Sequence, residues 1–206
     1  MDRTPSEAIV QEITSTKSDI YGLFYTQFPT VKDSRQAAVF LTSPIPYMHD
    51  YIYSSPIGCL AVTIVGGSVT QCRWMENAFS MPQIPPPPVS ATWHRLKAEL
   101  DAYFSGTGQN FSVPLHYAGT PFQHAVWDAL LTVGYGQRVS YTALAHAVGK
   151  PKAVRAVAQA CHRNPLALLL PCHRVVGADG SMTGYAAGIW RKEWLLKMER
   201  DGTTMT

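Results

Sequence analysis

The residues best suited to chemistry are Cys172 and His173, in the run Pro171-Cys172-His173-Arg174-Val175-Val176-Gly177 that follows five apolar residues, Leu166 to Leu170. Such an apolar run reads as a buried extended segment. A thiol at its end sits on the floor of a pocket, shielded from bulk solvent. The thiolate is the nucleophile, and apolar burial raises the thiol above its usual pKa of about 8.5. A base is therefore needed, and His173 is adjacent. On an extended segment neighbouring side chains point to opposite faces. The arrangement that fits is a water between Cys172 and His173, with a carboxylate behind the imidazole. An inert buried cysteine is the competing reading, because free cysteines are among the most buried residues. A second Cys-His-Arg stands at Cys161-His162-Arg163. Zinc ligands come as spaced, converging pairs, whereas each cysteine here diverges from its own histidine. No metal and no cofactor is expected.

These groups need elements that carry them. Ser140 can cap a helix over Tyr141 to Val148 that Gly149 ends. Pro151 then starts a second helix running to about His162. Two short helices joined by a glycine-containing turn are the helix-turn-helix pattern. The second helix, Lys152-Ala153-Val154-Arg155-Ala156-Val157-Ala158-Gln159-Ala160, is built from small residues around one long cation. That suits either close approach to DNA or tight packing on a neighbouring helix. Upstream, Thr120-Pro121-Phe122 opens a helix with Pro at its first position, and Phe122, Val126, Ala129, Leu130 and Val133 repeat along it before Gly134 and Gly136. Leu96, Leu100, Tyr103 and Phe104 mark one face of a helix that Gly106 ends.

Residues 49–81 alternate in short β-like runs, Tyr51 to Tyr53, Leu60 to Val65 and Val69 to Trp74, about a Gly66-Gly67 turn. Pro82 and Pro85 to Pro88 form a stiff connector, a spacer rather than an SH3 ligand. Residues 1–48 are polar, with a loose apolar spacing (Ile9, Ile13, Ile20, Leu23, Phe24) compatible with a helix. Downstream of the cysteine, Gly184-Tyr185-Ala186-Ala187-Gly188 is either a simple turn or a loop suited to close over a flat ligand. A final helix runs from Arg191 to Glu199 with Trp194, Leu195 and Met198 inward.

The chain has 206 residues and a net charge of +3, enough for one good core or a small domain beside a larger one. No apolar run is long enough for a membrane span, and the N-terminus carries no signal pattern. A soluble intracellular protein with free thiols is expected. Charge is unevenly placed: residues 1–114 hold seven Lys/Arg and nine Asp/Glu, residues 115–206 ten and five. Between Arg138 and Ala178 there are six basic residues and no acid, a stretch that would not repel a phosphate backbone.

Several motifs together resemble the O6-alkylguanine-DNA alkyltransferases, the methylated-DNA–protein-cysteine methyltransferases. They are Gly119-Thr120-Pro121-Phe122-Gln123 with Val126-Trp127, Tyr135-Gly136 with Ser140-Tyr141, Arg155-Ala156-Val157, Asn164-Pro165, Pro171 to Val175, Gly184-Tyr185 with Gly188, and Lys192 to Glu199. The resemblance runs from about Leu96 to Glu199, and more weakly back to Ser55-Pro56-Ile57-Gly58. It implies an α+β fold: a small N-terminal α/β (RNase H-like) domain over residues 49–114, then an all-α, winged-helix-like helix-turn-helix domain over 115–206. Residues 1–48 lie outside the pattern.

The resemblance implies direct-reversal DNA repair, with one irreversible transfer of the alkyl group from O6-alkylguanine, and O4-alkylthymine as a further candidate, to Cys172. The damaged base would be rotated out of the duplex, because its alkyl carbon is out of reach inside the stack. By the same resemblance His173 passes the thiol proton through water toward Glu199. Tyr141 hydrogen-bonds the guanine ring, and Asn164 holds the turn before the active-site segment. Arg155 fills the vacated stack, while Lys152, Ala153, Ala156 and Gln159 face DNA. Tyr185, Gly184, Ala186 and the backbone of Cys172 and Val175 form the base pocket. Departures are Ala158-Gln159 and Ala186, where many or some members have Gly and Ser, and Gly134 before Tyr135 in place of a common Pro. Some relatives bind zinc near the N-terminus, but Cys59 and Cys72 have no matching histidines here. The implied partner is double-stranded DNA carrying O6-alkylguanine, with no membrane and no obligate protein partner. The implied state is a monomer in the cytoplasm, or in the nucleus of a eukaryote. The alternatives are a helix-turn-helix regulator without chemistry, a non-catalytic binder of alkylated DNA, and a cysteine hydrolase.

Overall fold

The structure is a computed structural model that describes residues 48–75 and 90–202. The helix suggested near residues 9–24 and the proline connector at 82–88 lie outside the described residues. Three strands, β1 (Met48–Ser55), β2 (Gly58–Val65) and β3 (Ser68–Trp74), form an antiparallel meander in the order β1-β2-β3. Gly66 and Gly67 turn β2 into β3 with φ of 57° and 81°, the left-handed pair that a tight hairpin requires and that glycine adopts without strain. The two-residue alternation buries Tyr51, Tyr53, Leu60, Val62, Ile64, Val69 and Cys72 on the face that meets α1 (Ala91–Phe104).

Helix α1 begins where the Ser90 side chain accepts from the Trp93 amide at 3.0 Å, the usual N-cap arrangement. Its buried residues are Leu96, Leu100, Tyr103 and Phe104, the face that the 3.6-residue period predicts. Each large apolar side chain so buried stabilises the fold by roughly 1.5–3 kcal/mol. Tyr51 stacks on Trp93 with centroids 4.5 Å apart, and Tyr53 on Phe104 at 5.9 Å, which locks sheet to helix.

Helix α2 (Pro121–Leu131) opens with a full capping box between Thr120 and Gln123. It stops at Leu131, two residues short of Val133, because Thr132 closes it with a hydrogen bond back to Ala129. Helices α3 (Tyr141–Ala147) and α4 (Val154–His162) pack with α2 as a three-helix group. Trp127 on α2 ties it together by donating to the Ala160 carbonyl at 2.9 Å. Helix α4 starts at Val154, not at Pro151. Left-handed Gly149 and the Lys150–Ala145 and Ala153–Lys150 hydrogen bonds use residues 149–153 to turn the chain.

The C-terminal part is also not wholly helical. Two short strands, β4 (Val139–Ser140) and β5 (Val175–Val176), pair in parallel. Helix α5 (Ile189–Asp201) ends at left-handed Gly202. Strand β3 carries the site's backbone. Cys72 donates to the Pro165 carbonyl at 2.9 Å and accepts from Ala167 at 2.8 Å, while Val69 bonds Pro114 and His116. The free edge of β3 is thereby covered, and the segment leading into Cys172 is held against the sheet. Among the described residues no helix is long and apolar enough to cross a membrane.

Candidate active site

Leu166 to Leu170 is buried as expected, apart from half-buried Ala167, but it is not extended. Leu170 donates back to Leu166 at 2.8 Å and Cys172 to Leu170 at 2.7 Å, with Leu168 in the left-handed region at φ 68°. A non-glycine residue held there costs on the order of 1–3 kcal/mol and tends to sit at functional sites. Cys172, His173 and Arg174 form one 3₁₀ turn. Successive side chains on such a turn are about 120° apart, so the thiol and the imidazole still diverge, for a different reason than strand alternation.

Asn164 brackets this turn. Its amide nitrogen donates to the Leu170 carbonyl at 2.7 Å and to Cys172 Sγ at 3.1 Å, while its oxygen accepts from the Leu166 amide at 2.9 Å. Burial pushes the Cys172 thiol up, against the Asn164 hydrogen bond and the Lys192 charge that favour the thiolate. The sulfur lies at a cavity of about 740 Å³ lined also by Cys161, Asn164, Tyr185, Trp74 and Arg191. That volume falls within the range of small-molecule sites.

Glu199 is 3% exposed and gathers five hydrogen bonds. Oε1 accepts from Tyr103 at 2.6 Å, His173 Nε2 at 2.8 Å and Arg174 Nη2 at 2.9 Å; Oε2 accepts from Arg174 Nε at 2.9 Å and the Gly136 amide at 3.1 Å. Gly136 reaches it with φ 72°, and a side chain there would press on the Glu199 carbonyl at 3.1 Å. Burial works to raise the Glu199 carboxyl, but His173 and Arg174 overcome it and hold it well below the usual range. An ionised carboxylate only accepts, so His173 carries its proton on Nε2 and its Nδ1 is the basic lone pair. Nδ1 is buried and has no hydrogen-bond partner among the described residues. Burial lowers the His173 pKa, with Glu199 opposing and Arg174 and Lys192 assisting, so the imidazole rests neutral.

Tyr141 is the first residue of α3, and its hydroxyl is 3.2 Å from both the Thr183 and Gly184 carbonyls. Burial, then the thiols of Cys161 and Cys172, push it up to about 12. Tyr185 accepts a hydrogen bond from Trp74 Nε1 at 3.2 Å, which ties the 184–188 loop to β3. Gly184 and Ala186 line the same cavity. Val175 does not: its side chain is 0% exposed, drawn into the core by the β4–β5 pairing, which leaves only its backbone for a ligand. On α4, Arg155, Ala156 and Gln159 are exposed, as is Lys152 before it, with Ala153 half-buried. Val157, Ala160 and Cys161 form the packed face.

Cys161 is buried while His162 and Arg163 are exposed. Among the described residues no group of three or more His, Cys, Asp or Glu gathers as a metal site. Sequence reasoning passed over Arg174, Tyr103, Trp74, Arg191 and Lys192. Lys192 carried a readable signal: it lies three residues before Leu195 and seven before Glu199, on the stripe of α5 that faces the core. Arg191 donates to the Ile57 and Ala187 carbonyls at 2.9 and 2.7 Å and sits over the Trp74 ring.

Residues 121–201 match the family model described as 6-O-methylguanine DNA methyltransferase, DNA binding domain. The methylated-DNA–protein-cysteine methyltransferase of Mycobacterium leprae is 39% identical over 153 residues, which cover 74% of this chain and 93% of the relative. That of Methanosarcina acetivorans is 39% identical over 154 residues, covering 74% and 98%. The crystal structure of Mycobacterium tuberculosis OGT in complex with DNA superimposes with a TM-score of 0.69 at 41% identity, covering 75% of this chain and 94% of that one. With the thiol, imidazole and carboxylate arranged as described, this chain belongs to the methylated-DNA–protein-cysteine methyltransferase family.

Proposed function

We propose that this chain repairs DNA by moving the alkyl group of O6-alkylguanine onto Cys172 Sγ, once per molecule. The observation that carries this reading is the open Nδ1 of His173. The imidazole is fixed by Glu199 on one side, neutral, and in the same turn as a cavity-floor thiol that Asn164 already contacts. A water between Nδ1 and Sγ takes the thiol proton to His173. The thiolate attacks the alkyl carbon in line, the S–C bond forms, and the C–O6 bond breaks. Tyr141 turns from its two carbonyls to give its proton to the departing guanine. Glu199 steadies the imidazolium but does not become protonated, since five donors hold it ionised. The proton path toward Glu199 that the family resemblance implies therefore ends on His173. The thioether has no leaving group to expel, so the protein does not turn over.

Duplex DNA is the partner. The exposed face of α4, with Lys152, Arg155, Ala156 and Gln159, approaches the groove. Arg155 occupies the gap left by the rotated base, and small side chains let the helix backbone come close. The β1–β3 sheet with α1 supports an RNase H-like N-terminal domain over residues 49–114. The α3–α4 pair with the β4–β5 pairing supports a winged-helix-like domain over 115–206. The working state is a monomer in the compartment that holds the DNA.

The test is an intact-mass measurement after incubation with a duplex oligonucleotide carrying O6-methylguanine. The expected result is a gain of one methyl group, at most once per chain, mapped to Cys172 and absent in Cys172→Ala. An unchanged mass for the folded, reduced protein would rule the reading out in favour of a non-catalytic DNA binder.

A further inference from the structure

The cavity of about 740 Å³ at Cys172 is larger than one base with a methyl group needs, and lies in the range that takes drug-sized ligands. Its outer part has a defined wall. Trp74 Nε1 donates to the Tyr185 hydroxyl at 3.2 Å. The Arg191 guanidinium lies 5.2 Å from the centroid of the Trp74 ring and 4.5 Å from that of Trp190. Trp190 is 52% exposed, so this tier of side chains runs from the base pocket out to solvent. Arg73 on β3 and Arg163 at the end of α4 are exposed and line the same cavity. Among the described residues none of the three arginines has an ion pair, and no aspartate or glutamate lines the cavity. The Arg191 hydrogen bonds go to the Ile57 and Ala187 carbonyls, neutral acceptors that leave its charge uncompensated. Cations around an opening without acids set a positive potential there, and low-dielectric walls focus it.

We propose that this rim selects the O6 substituent by charge: Arg73, Arg163 and Arg191 receive a substituent that ends in a carboxylate. O6-carboxyalkylguanines are then preferred over bases whose alkyl chain ends in a methyl or an ammonium group. This rests on the alkyl-transfer reading given above. The chemistry is unchanged: the sulfur–carbon bond forms, the carbon–O6 bond breaks, and the departing guanine takes a proton as before. The whole substituent passes to sulfur, so the thioether keeps the carboxylate at the rim and no further reactant is needed. A neutral chain gains only apolar contact with Trp74 and Trp190, whereas an ammonium meets three like charges. DNA phosphates are the competing use of exposed arginines. Two of the three, however, lie off the proposed DNA face on α4: Arg73 belongs to the small sheet and Arg191 to α5.

The experiment measures single-turnover rates, at saturating protein, on duplexes carrying O6-(4-carboxybutyl)guanine, O6-pentylguanine or O6-(5-aminopentyl)guanine. The readout is the mass gained by the chain. All three present the same methylene to sulfur, so their intrinsic reactivity is matched. The rate ratios are internal to each variant, so unequal folded fractions cancel. At low salt the wild type should take the carboxylate chain about two- to fivefold faster than pentyl, and the ammonium chain slower by a like factor, the scale of exposed charge pairs. Both ratios should move toward one in the Arg73→Gln, Arg163→Gln double variant. They should do the same in the wild type at about 1 M salt, where the screening length is about 3 Å. The Arg73→Lys, Arg163→Lys double variant should keep them. Ratios near one in the wild type at low salt would overturn the proposal. Equal slowing of all three substrates in the glutamine variant, with the ratios intact, would overturn it by assigning these arginines to DNA phosphates. Transfer of methyl from O6-methylguanine but of none of the three chains would overturn it as well. If the wild type transfers no methyl group either, the alkyl-transfer reading fails, and this inference fails with it.

Discussion

Glu199→Gln changes one oxygen to NH₂ and should unsettle more of this protein than any other single-atom change in the site. The carboxylate satisfies Tyr103, His173, both nitrogens of the Arg174 fork and the Gly136 amide. A glutamine offers one acceptor oxygen and points a donor at groups that are themselves donors. It also leaves the Arg174 guanidinium buried without its anion. Breaking one partner of a buried pair costs about 3–5 kcal/mol, a large share of the roughly 5–15 kcal/mol that holds a domain together. For a domain of this size each kcal/mol moves Tm by about 2–4 °C, so a drop of roughly 6–20 °C is expected at pH 7.

The pH dependence has a defined sign. Glu199 has a folded pKa below its unfolded one. Its contribution is present above the ordinary carboxylate value of about 4.3 and is lost as pH falls below it. His173 is also depressed in the folded state, by burial. The unfolded chain therefore takes up a proton first, and stability falls as pH drops through about 6.5. Differential scanning calorimetry from pH 8 to pH 2 should show two successive losses in the wild type. In Glu199→Gln the second, carboxylate-linked loss should shrink to what Asp101, Asp179 and Asp201 contribute. A Tm within about 2 °C of wild type at pH 7, or an unchanged acid limb, would refute the buried-pair account.

Two further outcomes are expected. Arg155→Ala should slow repair in duplex DNA far more than reaction with free O6-benzylguanine, since Arg155 is exposed on α4 and away from the sulfur; equal losses on both substrates in a mass assay would remove it from base rotation. Gly119→Ala should destabilise by about 1–3 kcal/mol, the scale of overpacking. A methyl there would strike the Trp127 ring, with Cη2 at 2.8 Å, and Trp127 anchors α4 through Ala160. Thermal melting would show it, and an unchanged Tm would mean that the loop yields.

Elements governed by a single period were legible in the sequence. The face of α1, the Pro121 start of α2, the Ser140 cap of α3 and the Gly66-Gly67 hairpin all follow from local spacing and turn chemistry. The Leu166–Leu170 segment was not legible. Periodicity shows that it is buried but cannot show the left-handed Leu168, which the Asn164 bracket and the Cys72 pairing impose from elsewhere. Pro151 misled in the same way: its fixed φ suits a helix start, yet residues 149–153 are used by the turn and the helix starts at Val154. Arg174 and Lys192 look like surface cations by type, and their burial depends on Glu199 and Thr183, 25 and nine residues away.

That distribution of charge bears on the proposed transfer, which needs one site both to release a thiol proton and to reprotonate a base. Burial keeps His173 a neutral base despite a carboxylate at 2.8 Å, and the Arg174 charge beside Glu199 works in the same direction. Among the described residues Lys192 pairs with no carboxylate; its charge favours the Cys172 thiolate, and its Nζ is 5.8 Å from the centroid of the Tyr141 ring. When the thiol proton moves to His173, positive charge accumulates behind the sulfur while the lysine holds positive charge near the phenol. Once the thiol proton is on His173, the proposed site holds three buried positive groups, of which Lys192 alone has no carboxylate beside it among the described residues.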